Sequence, residues 1–120
     1  MKEQLIEFET AKLAKEKGFV SVLSFPKCYD NGKLIKRPSF SSSSPTDYGD
    51  RFIAAPTQSL LQKWLREEYG IKLTIIFREN ITTGEESWDW LIKGTAVVYR
   101  RFKTYEQALE AGLIEALKLI

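Results

Sequence analysis

Apolar residues recur at helical spacing in three parts of the chain, and each part carries signals for its ends. The first predicted helix covers residues 9–17 and stops before Gly18, which suits the left-handed residue that follows many helices. The second covers residues 57–69 and stops before Gly70. The third starts at a capping box in residues 104–107. The pattern therefore predicts three amphipathic helices.

A period-two alternation of apolar and polar residues predicts a β-hairpin after the second helix. Residues 71–79 form its first strand and residues 80–86 its loop. In the second strand Trp88 and Trp90 share one face and Asp89 lies on the other. We expect both tryptophans to be core residues, because they face the apolar residues of the first strand. The alternative is an exposed aromatic pair that binds a ligand or a partner.

Further strands are predicted at residues 19–25, 33–36 and 95–99, and the dipeptide Asn31-Gly32 is typical of a tight hairpin turn. Hairpin-linked strands favour a mainly antiparallel sheet, and amphipathic helices cover one face of such a sheet. We therefore predict an α+β fold, a two-layer sandwich in which three helices pack on a sheet of three to five strands.

The chain has 120 residues, which fits one domain over residues 1–120. Residues 38–50 contain four consecutive serines and two prolines, and we predict a flexible loop there. Cys28 is the only cysteine, so no intramolecular disulfide can form and a reducing compartment is expected. There is no apolar leader and no apolar run near the roughly 18 residues of a membrane span. These features predict a cytoplasmic protein without a membrane partner.

The sequence has no histidine, which removes the commonest general base and the commonest metal ligand. It also has no glycine-rich phosphate loop. We predict no catalytic residue, no metal and no cofactor. A nucleophilic Cys28 activated by Lys27 is less favoured than an inert thiol. A cation site at Asp30, Asp47 and Asp50 is less favoured than local turn hydrogen bonds.

Residues 99–105 interleave basic and aromatic side chains, a mixture that can stack on bases and hold phosphates. The candidate nucleic-acid-binding residues are Tyr99, Arg100, Arg101, Phe102 and Lys103. The formal charge of +2 is too small to indicate a nucleic-acid partner by itself. Solvated cations at a strand-to-loop connection are therefore favoured, and nucleic-acid binding is the alternative.

The third helix is apolar on more than one side near its end, at Leu117, Leu119 and Ile120. Burial against the first helix is one explanation, and a homodimer through this helix is the explanation that we favour. Gly112, inside the apolar stripe, predicts that the helix packs very close to a neighbour, because glycine weakens a helix by up to about 1 kcal/mol.

Three blocks, residues 8–19, 55–66 and 105–113, resemble small uncharacterised proteins encoded in phages and prophages of gut bacteria. The most specific block is Pro-Thr-Gln-Ser-Leu-Leu-Gln-Lys-Trp-Leu-Arg, which starts at Pro56. That family has no assigned activity, so the resemblance implies no catalytic or binding residue. It implies an accessory protein of the bacterial cytoplasm. We therefore expect a non-enzymatic protein-interaction module with an unknown protein partner.

Overall fold

The computed structural model describes residues 4–19, 27–30, 32–36, 52–95 and 100–120. The predicted loop at residues 38–50 and most of the strands predicted at 19–25 and 95–99 lie outside these residues. The described residues form two compact units. We call those of Leu5–Thr57 the amino-terminal unit and those of Gln58–Ile120, with Gln4, the carboxy-terminal unit. One domain over residues 1–120 stays a prediction.

The described residues contain three helices and five strands, and all the strand pairs are antiparallel. The predicted α+β class is therefore confirmed. In chain order the elements are α1 (Phe8–Glu16), β1 (Lys27–Asp30), β2 (Lys33–Lys36), β3 (Phe52–Ala54), α2 (Gln58–Tyr69), β4 (Leu73–Glu79), β5 (Glu86–Ile92) and α3 (Tyr105–Lys118). The strands are divided between a three-stranded sheet, in the order β2-β1-β3, and a two-stranded sheet, β4-β5.

The amino-terminal unit combines α1 with the three-stranded sheet. β1 and β2 pair as the predicted hairpin requires, with Asp30 opposite Lys33, and Gly32 has a positive φ of +85°. The hydroxyl of Tyr29 donates to the carbonyl of Ile6 at 2.7 Å, and its ring lies edge-on to Phe8. The buried apolar residues of this unit are Ile6, Ala11, Ala14, Cys28, Tyr29, Ile53, Ala54 and Ala55.

The predicted helix signals correspond to the observed ends. Gly18 and Gly70 follow α1 and α2 in the left-handed region, with φ of +107° and +67°. The hydroxyl of Thr104 accepts the N–H of Gln107 at 3.0 Å, as a capping box requires. The Gln107 carboxamide oxygen accepts the N–H of Lys103 at 3.2 Å, one residue before the position that the motif predicts.

In the carboxy-terminal unit α3 packs on the β4–β5 hairpin. A Cβ atom on Gly112 would lie 2.7 Å from Cδ1 of Leu73 and 2.9 Å from Cβ of Trp90, so the predicted close approach is confirmed. The Gln58 carboxamide donates to Glu110 at 2.9 Å and connects α2 to α3. The buried apolar residues are Leu61, Leu65, Leu73, Trp90, Ile92, Ala108, Leu109, Leu113, Ala116 and Leu117.

Candidate functional site

The candidate site lies on the part of the β4–β5 hairpin nearest its loop, where aromatic or charged side chains occupy both faces. Phe77 pairs with Trp88 on the face that carries α3, and the pair Glu79 and Glu86 follows on the same face. The opposite face carries Asp89 together with Arg78, one of the residues that line a small cavity.

Asp89 is fully buried, although the alternation had placed it on the polar face of the strand. One carboxylate oxygen accepts the backbone N–H groups of Arg100 and Arg101 at 2.8 and 2.9 Å. The other accepts Nε of Arg78 at 2.9 Å. Two successive N–H groups that converge on an anion form a backbone nest, and Arg101 has the left-handed φ of 56° common in such turns. Asp89 therefore fixes the path of the chain that enters α3.

The predicted nucleic-acid-binding segment lies against β5, apart from Tyr99, which is outside the described residues. Phe102 is half-buried and exchanges two backbone hydrogen bonds of 2.8 Å with Trp88. Arg100, Arg101 and Lys103 have exposed side chains. The backbone of this segment is thus engaged with the sheet, and its three cations face solvent.

A cavity of about 230 Å³ lies beside Arg101. Its lining residues include two basic ones, Arg78 and Arg101, and two acidic ones, Glu79 and Glu85. Asn80 and Ser87 complete the lining. The acidic residues in this lining offset the charge of Arg101, so the region is less favourable to nucleic acid than the sequence segment alone indicates.

Phe77, Trp88 and Tyr105 form one cluster of rings, which we call the aromatic surface. The Phe77 and Trp88 ring centroids are 5.0 Å apart, and Trp88 and Tyr105 meet edge to face at 5.6 Å. Phe77 is 45% exposed, Tyr105 is 41% exposed and Trp88 is half-buried. The rings are accessible because Tyr105 is the first residue of α3, so the later turns of the helix do not cover them.

The aromatic surface borders two carboxylates. Glu79 and Glu86 are directly opposite each other in the register and both are exposed. Like charges in this arrangement are destabilising. The structure shows no cation paired with either carboxylate within the part of the chain that it describes. A group bound on the aromatic surface would therefore meet negative charge at the hairpin-loop end.

Among the residues that the structure describes, the outer edge of β4 has no partner strand beside the aromatic surface, and we call this edge open. The backbone N–H of Lys93 donates to the carbonyl of Lys72 at 3.0 Å, and the backbone N–H of Asn80 donates to the carbonyl of Glu85 at 2.8 Å. These two bonds identify the hydrogen-bonded pairs of the hairpin. Alternation then directs the backbone groups of every second residue of β4 outwards, namely those of Leu73, Ile75, Phe77 and Glu79. The Leu73 carbonyl accepts Nε2 of Gln62 at 2.8 Å. For the other three, no partner strand is present among the described residues.

The other chemical candidates form no site among the described residues. Cys28 is fully buried in β1. The described residues contain no group of three or more acidic or cysteine side chains that could hold a metal ion, and Asp47 and Asp50 lie outside them. Over the same residues, no helix has the length and apolar character needed to cross a membrane.

Sequence reasoning had assigned Trp88 to the core and had not singled out Phe77, Glu79 or Glu86. The signal for the aromatic surface was the pairing of the two strands read together with the capping box at Thr104, because these fix where α3 begins. Comparison with known proteins adds nothing to this site, since no family model, no curated protein and no solved structure matches the chain.

Proposed function

We propose that this protein is a non-enzymatic interaction module that binds a protein partner through the aromatic surface. The observation that carries the proposal is the exposure of adjoining rings, with Phe77 at 45% and Tyr105 at 41%. Aromatic side chains are enriched at protein interfaces, and tryptophan and tyrosine are enriched among the residues that contribute most of the binding energy. We extend the proposal to an accessory protein of the bacterial cytoplasm, of the phage-encoded type that the sequence blocks resemble.

A pull-down from host cells during phage induction tests the proposal. The tagged chain is compared with a Phe77→Ala, Tyr105→Ala double variant, which removes two exposed rings. The matched control is Tyr69→Ala, because Tyr69 is 44% exposed but contacts Trp64 on α2. A partner that is retained by the parent and by Tyr69→Ala, and lost by the double variant, supports the proposal. Equal retention by all three forms contradicts it.

Nucleic-acid binding is the second candidate, supported by the exposed side chains of Arg100 and Lys103 near the exposed Tyr105 ring. The mixed charge beside Arg101 makes it the weaker candidate. Fluorescence anisotropy with a single-stranded oligonucleotide should show only weak binding that moderate salt abolishes. Submicromolar affinity at about 150 mM salt, lost in an Arg100→Ala, Lys103→Ala variant, would reverse the order of the two candidates.

The homodimer through α3 remains a proposal. Leu117 is buried in the carboxy-terminal unit, whereas Leu119 is 56% exposed and is available to a second copy. Light scattering at tens of micromolar should give the mass of a dimer, and Leu119→Ser should shift it towards the monomer. A monomer mass for the parent protein contradicts this assembly.

A further inference from the structure

We propose that the partner adds an extended segment to the outer edge of β4, with an apolar or aromatic residue against Phe77 and a lysine or arginine beside Glu79 and Glu86. The inference rests on the proposed function, because it describes how a protein partner would use the aromatic surface. It assigns the mode of binding and the chemistry of the bound segment.

The first support is the backbone of β4. Ile75, Phe77 and Glu79 direct their N–H and C=O groups away from β5, and the described residues offer them no strand. Unpaired edges of this kind are templates for another strand. At the first residue of β4, the carboxamide of Gln62 donates a hydrogen bond to the carbonyl of Leu73. The open part of the edge therefore starts at Ile75. This part is adjacent to the aromatic surface.

The second support is Phe77, which lies on the outer edge of β4 and whose ring is part of the aromatic surface. A strand added at this edge would place alternate side chains on the face that carries Phe77, with Cβ atoms about 4.5–5.5 Å from those of β4. An apolar side chain opposite Phe77 would cover the exposed ring. The same residue thus joins backbone pairing to side-chain recognition.

The third support is charge. On the same face, one residue pair beyond Phe77 and Trp88, the carboxylates of Glu79 and Glu86 are opposed and exposed. A cation two positions along the added strand from the apolar residue would lie beside them, since alternate residues share a face. The preferred segment therefore combines an apolar residue with a lysine or arginine at spacing two.

A second copy of this chain fits the edge less well. The β4 residues on the aromatic face are Leu73, Ile75, Phe77 and Glu79, and none of them is a cation. Self-pairing would bring further carboxylates to the face and would leave Glu79 and Glu86 without a positive charge. The charge on this face therefore favours a different protein as the occupant.

The probe is a displayed library of random octapeptides selected on the full chain, followed by synthesis of an enriched peptide. We expect enrichment of peptides with apolar and basic residues at spacing two. Binding of the synthetic peptide is then measured to Glu79→Pro and Glu79→Thr. Both variants lose the carboxylate, but only the proline variant also loses the outward N–H. The hydrogen bonds to β5 are kept in both, because the N–H of residue 79 points away from β5. We expect about tenfold weaker binding to the proline variant than to the threonine variant.

Two further measurements keep the test independent of how well Glu79→Pro folds. Methylation of alternate backbone nitrogens of the peptide should abolish its binding to the parent protein, because it removes the donors of the added strand. Glu86→Gln should weaken binding about twofold to fivefold. Glu85→Gln is the matched control, since Glu85 is the exposed loop residue next to Glu86 and lines the cavity. It should leave binding unchanged.

The outcomes separate this inference from the proposed function. Peptide binding that needs Phe77 and Tyr105 but is equal for the proline and threonine variants would overturn strand addition and leave the aromatic surface as the binding site. Binding that needs neither ring, or a selection without an enriched peptide, would overturn the inference, while the pull-down still decides the function. A dimer that Glu79→Pro dissociates would show that the occupant is a second copy and would also overturn it.

Discussion

The two tryptophans of β5 share one face of the hairpin but have different surroundings. Trp90 is buried under α3, with its Cβ at the place where Gly112 brings the helix closest. Trp88 lies beside Tyr105, the first residue of α3. Its ring contacts Tyr105 and Phe77 and stays half-buried. The difference teaches that the strand alternation assigns a side chain to a face. The start of the covering helix then decides whether that side chain becomes core or surface.

The largest expected effect is a difference between the two tryptophans in how much their replacement by alanine lowers the free energy of unfolding. Trp90→Ala removes a buried indole and leaves a cavity, which should lower the free energy of unfolding by about 3–5 kcal/mol. Trp88→Ala removes a half-buried ring and should lower it by about 2 kcal/mol. Urea melts measure both values. Equal losses would show that the two positions belong to one core and would remove the distinction.

Replacement of Asp89 tests the polar face of the same strand. Asp89→Ala leaves Arg78 and two backbone N–H groups without their acceptor. Loss of one partner of a buried pair costs about 3–5 kcal/mol. The Arg78 side chain is 35% exposed, so water can solvate part of its charge and we expect about 2–3 kcal/mol. A melt that matches the parent would show that the Arg100–Arg101 nest does not hold the chain.

The sequence predicted the local features of the fold, because each depends on neighbouring residues. Gly18 and Gly70 marked helix ends, Thr104 marked a helix start, and Gly112 predicted close packing of α3. The burial of Asp89 could not be predicted this way. It depends on contacts with residues 11 and 12 positions later in the chain, which no periodic pattern encodes.

The candidate site was predicted less well than the fold. The basic segment was placed correctly on the outside for Arg100, Arg101 and Lys103, but its charge environment depends on Glu79 and Glu85 across the hairpin. Exposure of Phe77 and Tyr105 depends on the relative lengths of the hairpin and α3. Propensity and alternation describe single elements, so they do not report where one element stops covering another.

A smaller effect is expected at Gly112. Gly112→Ala would place a Cβ 2.7 Å from Leu73 and 2.9 Å from Trp90, and such overpacking costs about 1–3 kcal/mol. The gain in helix propensity offsets about 1 kcal/mol of this. We expect a net loss of about 1 kcal/mol, measured by thermal and urea unfolding. A stabilised variant would show that α3 can move away from the hairpin, and that the core at Trp90 is looser than the geometry indicates.

The smallest expected effect is that of Trp90→Phe. The indole N–H of Trp90 is buried and has no acceptor among the described residues. Phenylalanine removes this unsatisfied donor, which offsets the loss of ring area, so the free energy of unfolding should change by less than about 1 kcal/mol. A urea melt with a loss near that of Trp90→Ala would indicate that the indole N–H has a partner.

The most direct test of the open edge of β4 is amide hydrogen exchange measured residue by residue by NMR. In the free protein the N–H groups of Ile75, Phe77 and Glu79 should exchange much faster than those of Thr74, Ile76 and Arg78, which face β5. With the bound octapeptide, the first three should become protected and the second three should change little. Contradiction would come from protection of Ile75, Phe77 and Glu79 in the free protein, or from unchanged exchange in the complex.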